Sequence, residues 1–128
     1  MEQITKNFNF EEFKSKDGAK TPLEAKINIV KLACNLQRLR DYLNKPIIIN
    51  SGYRSPQHNR YVGGAKNSQH VTGKASDIRV NGISPEKVKE AIEHLISKGE
   101  MLQGGLGIYN TFVHYDIRKK RARWDETT

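Results

Sequence analysis

The chain has 128 residues, which is the length of one domain, so we predict a single domain over residues 1–128. Its 22 Lys and Arg residues against 14 Asp and Glu residues give a net charge of +8, which favours polyanionic partners. Cys34 is the only cysteine, which excludes an intramolecular disulfide and a multi-cysteine zinc finger. Any bound metal must therefore be held mainly by histidine and carboxylate side chains.

An irregular arm and one long helix are predicted in the first third of the chain. Residues 1–20 predict the arm, with a short helical turn near residues 10–14. Thr21 and Pro22 then predict a helix start, because a hydroxyl can cap the helix and a proline at its first position loses no hydrogen bond. Apolar residues recur every three or four positions as far as Asn44. They form one predicted buried stripe: Ile29, Leu32, Leu36, Leu39 and Leu43.

Four strands and a second helix are predicted in the rest of the chain. The strands lie at residues 47–50, 75–80, 106–109 and 112–117, and the helix runs from Ser84 and Pro85 to Gly99. The last two strands are separated by two residues, which predicts a hairpin. This order predicts an α+β fold with a small, mainly antiparallel sheet backed by helices. Residues 125–128 are predicted to be a dispensable tail.

The segment between the first two predicted strands is rich in glycine and ionisable groups. Its ionisable side chains include Arg54, His58, His70 and Asp77. Loops of this composition, held between strands, are where sites are commonly built. His114 lies on the last predicted strand, which can neighbour the strand that carries Asp77. Two imidazoles and one carboxylate suit a catalytic zinc with an open fourth position, although each histidine could instead be an ordinary solvated or hydrogen-bonded residue.

Several segments, in this order, resemble the peptidoglycan-cleaving zinc metallopeptidases. They are Ser51-Gly52-Tyr53-Arg54-Ser55, His58-Asn59, Gly63-Gly64-Ala65, Ser68-Gln69-His70, Gly73-Lys74-Ala75-Ser76-Asp77-Ile78, Gly105-Leu106-Gly107-Ile108-Tyr109 and Phe112-Val113-His114-Tyr115-Asp116-Ile117-Arg118. The resemblance covers about residues 46–124. It looks closest to the zinc D-alanyl-D-alanine carboxypeptidases, with the L-alanyl-D-glutamate endopeptidases as related enzymes. It implies a fold shared with the amino-terminal hedgehog signalling domain and one zinc held by His70, Asp77 and His114.

The resemblance leaves the catalytic acid or base open. Many relatives place an acid three positions before the last ligand, where this chain has Thr111, which cannot serve as a base. Asp116 shares a strand face with His114, so we favour Asp116 as the general base, with the alternative that it orients a ligand histidine. If neither holds, Glu100 and Asp125 are the nearest other acids.

Arg54 and five further residues are candidates for contact with substrate. The resemblance places Arg54 near the metal, where it could stabilise an oxyanion or bind a substrate carboxylate. The alternative is that Arg54 simply pairs with an acidic side chain. The candidates for substrate binding are Ser51, Tyr53, His58, Ser68 and Gln69.

The function implied by the resemblance is hydrolysis of a peptide bond next to a D-amino acid in peptidoglycan. We expect a zinc-dependent monomer that acts on a stem peptide or muropeptide. Two alternatives remain. One is a catalytically inactive metal-binding module of the same fold, which the missing acid at Thr111 keeps open. The other is a nucleic-acid binder, suggested by the basic run at residues 118–123, but no recognised nucleic-acid motif accompanies it, so no specific nucleic acid is expected.

The sequence limits the locations in which the protein can act but does not select one. No apolar run is long enough to span a bilayer, so we expect no membrane insertion. The polar start lacks the basic and apolar regions of a signal peptide. We therefore expect either a cytoplasmic location or release to the cell wall, through phage lysis or as part of a phage particle.

Overall fold

The computed structural model, which describes residues 2–128, contains three α-helices and one five-stranded sheet. The helices are α1 (Leu23–Leu43), α2 (Pro56–Tyr61) and α3 (Pro85–Ser97). The strands are β1 (Ile48–Ser51), β2 (Ala75–Arg79), β3 (Gly105–Ile108), β4 (Val113–Asp116) and β5 (Ala122–Asp125). Two short 3₁₀ helices cover Phe10–Phe13 and Gln69–Thr72. The predicted α+β class is confirmed.

The helix ends follow from their capping residues, with one difference from the prediction. Ser84 caps α3 by accepting a hydrogen bond from the Lys87 N–H, as the sequence predicted. The prediction for α1 was wrong by one position, because Pro22 itself is the capping residue and Thr21 makes no side-chain cap. At the other end of α1, Asn44 adopts a left-handed conformation that ends the helix.

The sheet has the strand order β1-β2-β4-β3-β5 and is antiparallel except where β5 runs parallel to β3. The predicted mainly antiparallel sheet is therefore confirmed, but β5 and α2 were not predicted. In the central pair, Asp77 on β2 lies opposite His114 on β4. Gly107 on β3 lies opposite His114 on its other side. Because paired positions share a sheet face, this topology brings the two functional side chains together.

The apolar core lies between the sheet and the two long helices. The predicted stripe of α1 is buried except for Leu43, which is partly exposed. On β4, Val113 and Tyr115 belong to this core, so the alternation of a strand turns His114 and Asp116 to the opposite face. The site is therefore carried by the face of the sheet that the core does not use.

Both ends of the chain are attached to this framework. In the predicted irregular arm, Phe8 and Phe13 are fully buried in the core. In the predicted tail, the Glu126 N–H donates to the Ile108 carbonyl at 2.8 Å. Thr128 is hydrogen-bonded to Asn110. Within the part of the chain that the structure describes, no helix is both long and apolar enough to cross a membrane.

Candidate metal centre

The three predicted metal ligands meet at one point on the open face of the sheet. His70 is carried by the second 3₁₀ helix, Asp77 by β2 and His114 by β4. One donor atom from each of them lies within 4.8 Å of the others. Asp77 Oδ1 is 3.3 Å from His70 Nε2 and 3.1 Å from His114 Nδ1. Three such donors, close together and nearly buried, can hold a metal ion.

The remaining nitrogen of each imidazole is hydrogen-bonded away from this cluster. His70 Nδ1 donates to the Gly52 carbonyl at 2.8 Å, because a carbonyl can only accept. His114 Nε2 donates to Asp116 Oδ2 at 2.7 Å. These two bonds leave His70 Nε2 and His114 Nδ1 as the nitrogens that face Asp77 and are available to a metal. That arrangement fits the requirements of a metal ligand set, in which outer partners fix the tautomer and the ring orientation.

Arg54 holds the carboxylate of the cluster. Its Nη2 donates to Asp77 Oδ2 at 3.1 Å, which leaves Asp77 Oδ1 facing the histidines. Its Nε donates to Ser51 Oγ and its Nη1 to Asn59 Oδ1. All three nitrogens of the guanidinium therefore have partners within the protein. This geometry favours the second role considered for Arg54, which is pairing with an acidic side chain.

When no metal is bound, electrostatics favour the charged forms of Asp77 and His114. Burial disfavours ionised Asp77, but its hydrogen bonds to His114 and His70 outweigh burial and lower the pKa of the Asp77 carboxyl. Burial likewise disfavours charged His114, but Asp116 and Asp77 outweigh it and raise the pKa of the His114 imidazole. Two carboxylates thus act on one histidine, and a bound cation would take the place of the proton on His114 Nδ1.

Asp116 is completely buried on the far side of the His114 ring from Asp77. Its oxygens accept hydrogen bonds from His114 Nε2, from the backbone N–H groups of Gly105 and Arg118, and from the Arg118 guanidinium. A general base must reach the proton that it removes, directly or through one water. Asp116 does not line the cleft beside the cluster. Its position therefore does not favour the base role and favours the alternative, orientation of His114.

A cleft of about 570 Å³ opens over the cluster. One wall is the loop at residues 62–69, and the other carries Tyr109, Phe112 and Trp124. Among the lining residues that the structure describes, Asp77 is the only carboxylate. The two reserve acids lie elsewhere: Glu100 lines a separate depression, and Asp125 lies at the end of β5.

Two of the five predicted substrate-binding residues line this cleft, namely Ser68 and Gln69. Ser51 is occupied by Arg54 and does not line it. Tyr53 is buried in the core, and His58 stacks on Tyr61 beside a different depression. Neither Tyr53 nor His58 lines the cleft in this structure, because closeness in a motif does not place neighbouring side chains on the same side of the backbone.

The aromatic wall of the cleft was not predicted from the sequence. Trp124 lies on β5 beside Gly107, and a Cβ atom at Gly107 would overlap its indole ring. The glycine therefore makes room for the ring, whose centroid is 4.9 Å from that of His114. Trp124 Nε1 donates to the Tyr109 hydroxyl at 2.9 Å. The available sequence signal was the glycine in the middle of a predicted strand, which often marks the close approach of another group.

A family model described as Peptidase M15 matches residues 5–116. The chain belongs to this family. The match confirms the resemblance to zinc metallopeptidases on which the ligand assignment rests.

Curated relatives show which members of the family the chain is similar to. It is 36% identical over 102 residues to the probable peptidoglycan L,D-endopeptidase MepK of Haemophilus influenzae, an alignment that covers 74% of this chain and 52% of that protein. It is 37% identical over 95 residues to the peptidoglycan L,D-endopeptidase MepK of Escherichia coli K12, covering 67% and 49%. It is 42% identical over 55 residues to the zinc D-Ala-D-Ala carboxypeptidase of Streptomyces albus G, covering 42% and 22%. The chain thus spans about half the length of the two endopeptidases.

Proposed function

We propose that the chain is a zinc peptidase that hydrolyses a peptide bond next to a D-amino acid in peptidoglycan stem peptides or muropeptides. The observation that carries this proposal is the convergence of His70 Nε2, Asp77 Oδ1 and His114 Nδ1 below an open cleft, in a member of the Peptidase M15 family. When bound there, zinc would polarise a carbonyl and lower the pKa of a water molecule. The substrate class is supported by the relatives, which are named as a peptidoglycan L,D-endopeptidase and a zinc D-Ala-D-Ala carboxypeptidase.

Each proposed ligand has its own outer partner, and this supports a site built for a metal. The Gly52 carbonyl fixes the His70 ring, and Arg54 fixes the Asp77 carboxylate. Asp116 fixes the His114 ring and is a positioning residue in this proposal, because its burial keeps it from the cleft. Outer partners of this kind are common around metal-bound histidines and carboxylates.

The two groups of relatives are named for different bonds, so the bond that this chain cuts needs a direct measurement. Zinc-loaded protein is incubated with defined muropeptides, and the products are identified by mass spectrometry. Cleavage next to a D-residue is expected, and the new terminus distinguishes a carboxypeptidase from an endopeptidase. A chelator should abolish the reaction.

A matched pair of histidine variants controls this assay. His70→Ala should lose both zinc and cleavage. His94→Ala should keep both, because His94 lies on α3 beside the Tyr42 ring and lines a separate depression, not the cleft. If the zinc-loaded wild-type protein cleaves none of the muropeptides, the catalytically inactive metal-binding module is the correct interpretation.

A further inference from the structure

Arg118 lines the cleft and has one edge of its guanidinium unused. Its Nε and Nη2 donate to the buried Asp116 carboxylate at distances between 2.7 and 3.1 Å. Its Nη1 has no hydrogen-bond partner within residues 2–128. The Arg118 side chain is 30% exposed, while the Asp116 side chain is fully buried. The ion pair therefore fixes one edge of the guanidinium and leaves the other accessible from the cleft.

A second contact limits how far this guanidinium can move. The Arg118 Cζ atom lies 5.4 Å from the centroid of the Trp124 ring, within the range of a cation–π contact. Trp124 is itself held by its hydrogen bond to Tyr109 and by close packing of its ring on Gly107. A guanidinium that is already held in one position loses little conformational freedom when it binds an anion.

The two arginines of the cleft differ in what they can offer to a ligand. Each of the three guanidinium nitrogens of Arg54 already donates within the protein, so a bond to a ligand would have to come from the second N–H of a nitrogen that is already engaged. Arg118 can donate from Nη1 without losing its bonds to Asp116. The only carboxylate that lines the cleft within residues 2–128, Asp77, is paired with Arg54 and faces the histidines. No acidic side chain of the cleft therefore competes for Arg118 Nη1.

We propose that Arg118 binds a carboxylate of the substrate through Nη1 and so selects peptides that carry a free carboxylate near the bond that is cut. This inference rests on the proposed function and names a determinant of its specificity. A peptide that ends in a D-amino acid carries such a group, and its carboxamide counterpart does not. A hydrogen bond to a charged group, placed on a rigid donor, gives enough energy for strong discrimination between the two.

Binding can be measured without turnover, because Trp124 is the only tryptophan of the chain and lies beside Arg118. The fluorescence of the zinc-loaded protein is titrated with N-acetyl-D-alanine, which has no bond between two amino acids to be cut, and with its C-terminal amide. We expect the wild-type protein to bind the carboxylate form roughly 10- to 100-fold more tightly. A failure of the muropeptide cleavage assay would contradict the proposed function but would leave this binding measurement intact.

Zinc can also attract a carboxylate, so variants isolate the contribution of Arg118. Arg118→Gln should reduce the discrimination to within about threefold of what zinc alone provides. Arg121→Gln removes the same charge from an exposed side chain that donates to Gln103 and does not line the cleft, and it should keep the wild-type discrimination. Titrations are run with zinc in excess, and elemental analysis confirms equal zinc content.

The Arg118→Gln variant should fold, because Asp116 keeps its hydrogen bonds to His114 and to two backbone N–H groups. Arg118→Lys is the second variant. It keeps a positive charge beside Asp116 but lacks the planar fork, so it should also lose most of the discrimination. Wild-type discrimination in either variant, or none in the wild-type protein, overturns the proposal.

Discussion

The two histidines of the cluster are held by different kinds of partner. His70 Nδ1 donates to a backbone carbonyl, that of Gly52, whereas His114 Nε2 donates to the ionised side chain of Asp116. The carbonyl is placed by the path of the chain and carries no titratable group. The carboxylate can be removed by a conservative substitution or neutralised by acid. One imidazole thus depends on backbone packing and the other on electrostatics, so the two should respond to different perturbations.

The largest effect is expected from removal of either imidazole. His70→Ala and His114→Ala should each weaken zinc binding by more than about 100-fold, because the loss of an outer partner alone costs about 10- to 100-fold. Affinity is measured by competition with a chromophoric chelator. His94→Ala serves as the control and should bind zinc normally, because His94 lines a separate depression. A variant that retains wild-type affinity would remove that histidine from the ligand set.

Asp116→Asn removes the charge of the carboxylate that holds His114. The amide keeps the size of the carboxylate but loses its charge, so zinc affinity should fall about 10- to 100-fold and excess zinc should restore most of the activity. The same competition titration and a rate measurement on muropeptides check this. If Asp116 were the general base, zinc affinity would stay unchanged and turnover would fall by about two to four orders of magnitude, without rescue by zinc.

Gly52→Ala disturbs the backbone carbonyl that holds His70. A Cβ atom at Gly52 would lie 2.8 Å from Phe13 Cα and 2.9 Å from its carbonyl oxygen, so the backbone that holds His70 must shift. We expect the free energy of unfolding to fall by about 1 to 3 kcal/mol. Zinc affinity should fall about tenfold, the lower end of the range for an outer partner.

Gly82→Ala is the matched control for this change. A Cβ atom there meets no atom within 4 Å, and the residue lies in the turn between β2 and α3 and does not line the cleft. Its left-handed backbone makes some loss of stability expected, but zinc affinity should not change. Equal zinc affinities for Gly52→Ala and the wild-type protein would show that the Gly52 carbonyl does not determine the position of His70.

The smallest expected effect is a difference in pH dependence in the metal-free protein. Despite burial, the bonds to Asp116 and Asp77 raise the pKa of His114, so its contribution to stability is present below its ordinary pKa of 6.5 and is lost as pH rises through the raised value. Despite burial, the bonds to His114 and Arg118 lower the pKa of Asp116, so its contribution is present above its ordinary pKa of 3.8 and is lost as pH falls through the lowered value.

Urea unfolding at a series of pH values tests these two directions of pH dependence. The stability difference between the wild-type protein and Asp116→Asn should be greatest between pH values of about 4 and 6.5 and should shrink on both sides. The destabilisation by Gly52→Ala should vary much less with pH, because no ionisable group is replaced. A pH-independent difference for Asp116→Asn would contradict the electrostatic account of His114.

Local sequence patterns predicted most of the fold but missed its last strand. The stripe that contains Leu32 and Leu36 and the cap at Ser84 are local features, and they placed both long helices within a few residues. Strand β5 depends on distant partners: Trp124 requires the space at Gly107, and Arg123 pairs with Glu93. Without knowledge of these partners, the basic run at residues 118–123 resembles an exposed charged surface.

The site was predicted in part for a similar reason. The family motifs named His70, Asp77 and His114, and strand alternation correctly placed Asp116 on the same face as His114. Alternation could not show that Asp116 is sealed by the Gly105 N–H and by Arg118, which lie outside its strand. A shared face is compatible with a general base and with a positioning residue, and only burial separates the two.

A crystal structure of the zinc-loaded protein, with anomalous diffraction measured at the zinc edge, locates the metal and identifies its ligands. We expect one zinc peak at about 2.0–2.2 Å from His70 Nε2, Asp77 Oδ1 and His114 Nδ1, with His114 Nε2 still bonded to Asp116. A zinc bound through His114 Nε2, or a peak away from these three residues, would contradict this expectation.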